Sequence, residues 1–272
     1  MKSDAILLLA TLVFADAAYA QWAQVRNSSI PRTPAGEPDL TAPVPRAPDG
    51  RPDLSGVWLP DAEPVGDILT VEGDLPFPRH FINIAADLKP EEVQFQPWAA
   101  ELFAQRANSD GTEAPAAHCK PAGVPVLNSV PLPYKVVQTP QLIMVLYEQD
   151  LDFRQIFVDG RKPVEDALPR WMGYSTGRWD GDVLVVDTVG FHDRHWLDAL
   201  GHPGSDQLRL IERWRRLDAG HLEIETTVDD PGAYTKPITF TVKATIIPDD
   251  DLLEYFCTEN EKDIEHYVET PN

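Results

Sequence analysis

Positive charge is scarce in this chain of 272 residues: 23 Lys and Arg stand against 44 Asp and Glu, a formal net charge of −21. Nucleic acid backbones and anionic membrane surfaces attract proteins through an excess of Lys and Arg, so neither is an expected partner. Long apolar runs are missing after residue 20, where nothing approaches the ~20 residues that a bilayer span needs; no membrane span is expected. The sequence also lacks HExxH, CxxC and EF-hand patterns. Without those ligand sets, no metal or other cofactor is expected. Cysteine is limited to Cys119 and Cys257.

What is present points to a secreted, mainly β protein. Apolar residues make up 43% of the chain, enough for a packed core and too many for wholesale disorder. Lys2, the apolar stretch from Ala5 to Ala15 and the small residues Ala18-Tyr19-Ala20 before Gln21 predict a signal peptide over residues 1–20, despite the untypical Asp4 and Asp16. A periplasmic or secreted location follows, and with no Cys after the cleavage site a lipid anchor is not expected. In an oxidising compartment an even cysteine count favours a Cys119–Cys257 disulfide. Two separate buried thiols, or Cys119 as a nucleophile beside His118, are the competing readings.

Pro numbers 26 and is crowded into the first half. Residues 21–52, rich in Pro, Arg, Ala and Thr, read as a flexible leader. A single domain is expected over 53–272, with a Pro-rich extension over 53–133 that carries a short strand at Leu54–Trp58. One helix is expected after Lys89-Pro90-Glu91-Glu92, presenting Trp98, Leu102 and Phe103 on one face and ending at Asn108–Gly111. From Tyr134 the pattern changes to strands: Tyr134–Glu148 interrupted at Pro140, Phe153–Val158, Gly173–Trp179, Asp182–Val189, Gln207–Leu217, His221–Asp229, Ile238–Ile247 and Leu252–Cys257. Asp180-Gly181 predicts a type I′ hairpin. About eight strands joined by short loops make an antiparallel meander, which removes its unpaired edges by closing into a β-barrel.

Alternation fixes the faces. Leu222, Ile224, Thr226 and Val228 oppose His221, Glu223, Glu225 and Asp229, and Ile238, Phe240, Val242, Ala244 and Ile246 oppose Thr239, Thr241, Lys243 and Thr245. In the strand before them, Gln207–Leu217, Leu208, Leu210 and Trp214 share a face with Glu212. That pattern predicts a carboxylate inside the barrel.

Six motifs in order, Pro52-Asp53-Leu54-Ser55-Gly56-Val57-Trp58, Cys119-x-Pro121-x-Gly123-x-Pro125, Gly177-Arg178-Trp179-Asp180-Gly181-Asp182, Val185-Val186-Asp187-Thr188-x-Gly190-Phe191, Asp229-Asp230-Pro231-x-x-Tyr234-Thr235-x-Pro237 and Glu254-Tyr255-x-Cys257-x-Glu259-Asn260-Glu261-Lys262-Asp263, together resemble an uncharacterised family of secreted bacterial proteins over nearly the whole chain from Asp53. The resemblance implies secretion and assigns no activity or site. The meander is also similar in outline to lipocalin-like barrels, an analogy that implies architecture and an internal cavity but no chemistry.

Three groups of residues carry candidate chemistry. His192 and His195, in Phe191-His192-Asp193-Arg194-His195-Trp196, are spaced to act as general bases or, with Asp193 or Asp198, to approach a metal, although HxxH alone is a weak ligand pattern. A solvated structural loop is the plain alternative. Glu212, Arg154 and Asp187 form the second group: an Arg–carboxylate salt bridge inside the barrel, or a general acid or base in Glu212 or Asp187 with Arg154 as its partner or as an anion anchor. Tyr174, Trp179, Trp214 and Tyr255 are the aromatic candidates for a ligand lining. Gly173-Tyr174-Ser175-Thr176-Gly177 matches the GxSxG hydrolase elbow, but a hairpin follows it where a helix is required; Ser175 reads as an ordinary strand serine. The acidic C-terminus reads as a solvated tail rather than a Ca²⁺ site. The expected function is a small-molecule-binding barrel that carries out cofactor-free acid/base chemistry (isomerase, hydratase or lyase type) on a partly apolar substrate. The alternatives are a non-catalytic ligand carrier and a structural envelope protein with a filled core.

Overall fold

The computed structural model describes residues 30–64, 76–109, 111–164 and 168–259. The expected signal peptide, the first part of the leader and the acidic residues from 260 onward lie outside the described residues. Among them, eleven strands run β1 (Gly56–Pro60), β2 (Glu63–Pro64), β3 (Pro76–Phe77), β4 (Tyr134–Gln138), β5 (Leu142–Tyr147), β6 (Phe153–Phe157), β7 (Tyr174–Asp180), β8 (Val183–Val189), β9 (Arg209–Arg216), β10 (His221–Asp229) and β11 (Ile238–Ile246). Nine of them close a barrel in the ring order β1-β11-β10-β9-β8-β7-β6-β5-β4, while β2 and β3 form a separate ribbon. The ninth staple, not foreseen as part of the ring, is β1, which pairs with β11 on one side and β4 on the other. Every ring junction is antiparallel except β6–β7, which is parallel and holds only Ile156↔Ser175 and Phe157↔Thr176. The meander expectation fails there because the chain between Phe157 and Tyr174 returns to the end of the barrel at which β6 began.

Parity decides what fills the axis. The alternations in β10 and β11 match the buried positions one for one, and β9 buries Leu210, Glu212, Trp214 and Arg216. Trp58, Trp214, Arg154, Tyr134 and Tyr147 are among the largest fully buried side chains. Each large apolar side chain so placed contributes roughly 1.5–3 kcal/mol by leaving water. Side chains, rather than the internal cavity that the lipocalin analogy implied, occupy the middle of this barrel.

Several local expectations are corrected. The hairpin after β7 pairs Asp180 with Val183, so its central residues are Gly181-Asp182. Only Gly181 has a positive φ, +60°, as a type II′ turn requires and a type I′ turn does not. Lys89–Glu92 does not start the helix. The Glu92 backbone N–H donates to the Lys89 carbonyl at 2.8 Å, which closes a 3-10 turn, and the helix starts afresh at Pro97. Among the described residues there are thus two α-helices, α1 (Arg79–Ile82) and α2 (Pro97–Ala107). Leu252–Cys257 is not a strand. That segment runs outside β4, where Lys135 Nζ meets Asp251 Oδ1 at 2.7 Å, and ends in the Cys119–Cys257 disulfide, with Cα atoms 5.5 Å apart and 138 positions between them in sequence. Closing so long a loop restricts the unfolded chain by about 5 kcal/mol in the chain-entropy picture.

From Ile30 the expected flexible leader is instead laid against the barrel. Ala42 and Leu40 carbonyls accept from Ala219 N and Gly220 N at 2.8 and 2.7 Å, and Arg46 forks onto Asp182 at 2.6 and 2.7 Å. The barrel therefore has two unlike ends. One carries the tight turns at 139–141, 181–182 and 217–220 together with the leader. The other carries the long connections: 61–133 with both helices, 148–152, 190–208 and 230–237.

Candidate functional site

Glu212 lies where alternation puts it, on the barrel axis with no exposure. Arg154 from β6, 1% exposed, meets it with both terminal nitrogens, Nη1 to Oε1 at 3.1 Å and Nη2 to Oε2. Oε1 also accepts from Asn128 Nδ2 at 2.8 Å and Trp214 Nε1 at 3.3 Å, and Tyr147 donates to Asn128 Oδ1 at 2.7 Å. The remaining Arg154 donors reach Ser175 Oγ at 3.0 Å and Thr188 Oγ1 at 2.8 Å. Burial by itself lowers the pKa of Arg154, but the adjacent Glu212 charge and hydrogen bonds raise it overall. A buried pair with every polar atom occupied is a structural brace. No nitrogen of the guanidinium and no oxygen of the carboxylate lacks a protein partner.

The other expected residues scatter. Asp187 is on the outer face of β8 and pairs with Arg209, Nε to Oδ1 at 2.8 Å, so it does not join Glu212. Interior positions on β8 belong to Leu184, Val186 and Thr188. Trp214 is part of the brace. Trp179 is half-buried with Arg51 over its ring at 5.8 Å. Tyr255 is 46% exposed, outside any barrel lining, because its segment is not a strand. His192 and His195 diverge: His192 stacks on Trp171 at 4.8 Å with Nδ1 3.0 Å from Asp193, whereas His195 is fully buried with Nδ1 on the His192 carbonyl at 2.7 Å. Burial pushes the His195 pKa down to about 4, so its ring is neutral at physiological pH. Among the described residues no group of three or more His, Cys, Asp or Glu is arranged to hold a metal ion.

Tyr174 does reach a cavity, though not on the axis. Where β6 and β7 part, an open cleft of about 310 Å³ is walled by Phe153, Phe157, Trp171, Met172 and Tyr174, with Pro121, Asp152, Gln155, Arg170 and Ser175 completing it. The short parallel junction leaves the room, and aromatic side chains line it. Phe157 and Tyr174 stack at 5.4 Å, and the Arg170 guanidinium lies 5.6 Å from the Tyr174 ring. Gly123, from the Cys119–Pro125 motif, has φ +74° and approaches so closely that a Cβ there would stand 2.5 Å from the Trp171 carbonyl. That glycine lets the 119–125 segment close the cleft's back wall.

Asp152 is the residue that sequence reasoning missed. It follows Asp150 and Leu151, both at positive φ (57° and 53°), a conformation that costs non-glycine residues roughly 1 kcal/mol or more each. Asp150 is held there by accepting from Cys257 N at 3.2 Å. The turn tucks the Asp152 carboxyl into the cleft wall with Oδ2 buried and without a hydrogen-bond partner. Burial first, and the neighbouring Asp150 charge second, push its pKa up to about 6. Little in the local sequence marks this turn: Asp150 is a type that occasionally adopts positive φ, but Leu151 beside it is not. No protein family, curated protein or solved structure matches the chain.

Proposed function

We propose that the protein binds a small, flat, partly apolar molecule in the β6–β7 cleft and that Asp152 is the group that exchanges a hydrogen bond or proton with it. The observation that carries this reading is the buried, unpartnered Asp152 Oδ2 on a residue that lines a cleft walled by Phe153, Phe157, Trp171 and Tyr174. An apolar pocket with a few convergent polar groups and a perturbed carboxyl is the usual form of a ligand site. A carboxyl with a pKa of about 6 is present in both protonation states near neutrality, which suits cofactor-free proton transfer. The role first assigned to Glu212 thus passes to Asp152, and Glu212 with Arg154 stiffens the wall behind it through Ser175. The disulfide supports a periplasmic or secreted location.

Native mass spectrometry of protein purified from its own host is expected to show a retained small molecule, and Trp171→Ala is expected to release it. Asp152→Asn separates the two classes of function. Loss of turnover with affinity retained marks an enzyme; loss of affinity alone marks a carrier. A retained molecule whose affinity is indifferent to both substitutions sinks the assignment.

A further inference from the structure

A second cleft, of about 210 Å³, opens on the same end of the barrel, bounded by Ala85, Leu88, Val93, Phe95 and Phe103 with His202 as its one ionisable side chain. His202 is 2% exposed, and its ring is held between Phe103 at 4.3 Å and Phe95 at 5.6 Å. Behind it stands Asp198, 1% exposed. Asp198 Oδ2 lies 2.5 Å from His202 Nδ1 and accepts from Ile84 N at 2.8 Å, while Oδ1 accepts from His202 N at 3.1 Å. A carboxylate only accepts, so Asp198 keeps Nδ1 as the donor, and in the neutral ring Nε2 is the acceptor. Nε2 has no hydrogen-bond partner among the described residues. The other polar side chain at the cleft, Asn83, already spends Oδ1 on Ala85 N at 2.8 Å.

We infer that this cleft is a second ligand site, which takes a ring-sized apolar molecule bearing one hydrogen-bond donor, with a phenol as the simplest case. Size, shape and polarity each select that class. An apolar cavity of about 150 Å³ holds benzene, so this one accommodates a ring with one substituent. Phe95 and Phe103 offer aromatic faces beside the imidazole, and Nε2 of the neutral ring accepts from a donor. No Lys or Arg lines the cleft to meet an anion, and a saturated polar molecule would leave its own polar groups unpaired against Leu88 and Val93. The site is independent of Asp152 and stands or falls without it.

The test titrates phenol and toluene into the full chain, read by NMR with ¹⁵N spectra of the histidine side chains. Phenol is expected to bind about tenfold more tightly than toluene, the typical worth of one hydrogen bond, and to move the His202 Nε2 resonance while toluene does not. Leu88→Trp fills the cleft from its rim and removes no polar group of the Asp198–His202 pair. It is expected to abolish phenol binding and leave His202 Nδ1 hydrogen-bonded to Asp198. Equal affinities, no binding of either probe, an Nε2 already protonated before ligand is added, or phenol binding that survives Leu88→Trp would each overturn the inference.

Discussion

The barrel axis and the loop-bearing end treat buried polar groups in opposite ways. On the axis, Glu212, Arg154, Asn128 and Tyr147 form a closed set in which each donor finds an acceptor. At the loop-bearing end, Asp152 Oδ2 and His195 Nε2 are buried without partners, as is the Tyr134 hydroxyl inside the barrel. An unmet buried polar atom destabilises by about 1–3 kcal/mol, so each of these is costly to keep. The difference separates two jobs. The strands supply rigidity, and the long connections at one end carry the proposed sites.

Breaking the axis should have the largest effect. Glu212→Gln leaves Arg154 buried beside a neutral amide, and equilibrium denaturation is expected to show a loss of about 3–5 kcal/mol. A loss under 1 kcal/mol would mean that the axis is not the closed set described. The loop-bearing end should show itself through pH. His195 has its pKa lowered from 6.5 to about 4, so its contribution is complete above pH 6.5 and drains as pH falls toward 4, because the unfolded chain takes up a proton that the folded one refuses. The full span amounts to about 3 kcal/mol, and His195→Leu is expected to remove that slope from the stability–pH curve.

Asp152 runs the other way. Its pKa is raised from 3.8 to about 6, so folding is unpenalised below pH 3.8 and loses stability as pH rises toward 6. Asp152→Asn is therefore expected to stabilise the protein at pH 7 by about 1–2 kcal/mol, after allowance for the solvent that reaches the cleft. The gain should vanish near pH 3.5. A substitution that destabilises at pH 7 would show that the carboxylate has a partner after all. The smallest effect belongs to the tight-turn end, where Arg46→Ala removes a solvent-exposed pair with Asp182. Such pairs contribute little, and the denaturation midpoint is expected to stay within error of the parent's.

How much of this could be read from the residues follows the same division. Period-two alternation located Glu212 and its Arg154 partner, because β9, β10 and β11 each have one wet and one dry face. It misled at Asp187, since β8 is apolar on both faces: Val183, Val185 and Val189 look as buried as Leu184 and Val186 do. Tyr255 was misplaced for another reason. Its apolar run imitates a strand, but the chain there is pinned by Cys257 rather than by ladder bonds. The two clefts were hardly legible at all. Asp198 was noticed only as a metal ligand, and its actual partners are His202, four residues on, and the Ile84 amide, 114 positions away. Asp152 depends on two consecutive left-handed residues, of which Leu151 carries no left-handed signature. Strand faces are written locally; loop sites are assembled from distant parts.

The β6–β7 junction has one more implication. A ring of strands fastened at one place by two paired positions, where its neighbours hold five or more, has a set point of first opening. Backbone amides of Ile156, Ser175 and Thr176 should exchange with solvent before those of β10 and β11. A guest seated outside that gap would act as a clasp, and its arrival should slow the breathing of the entire ring.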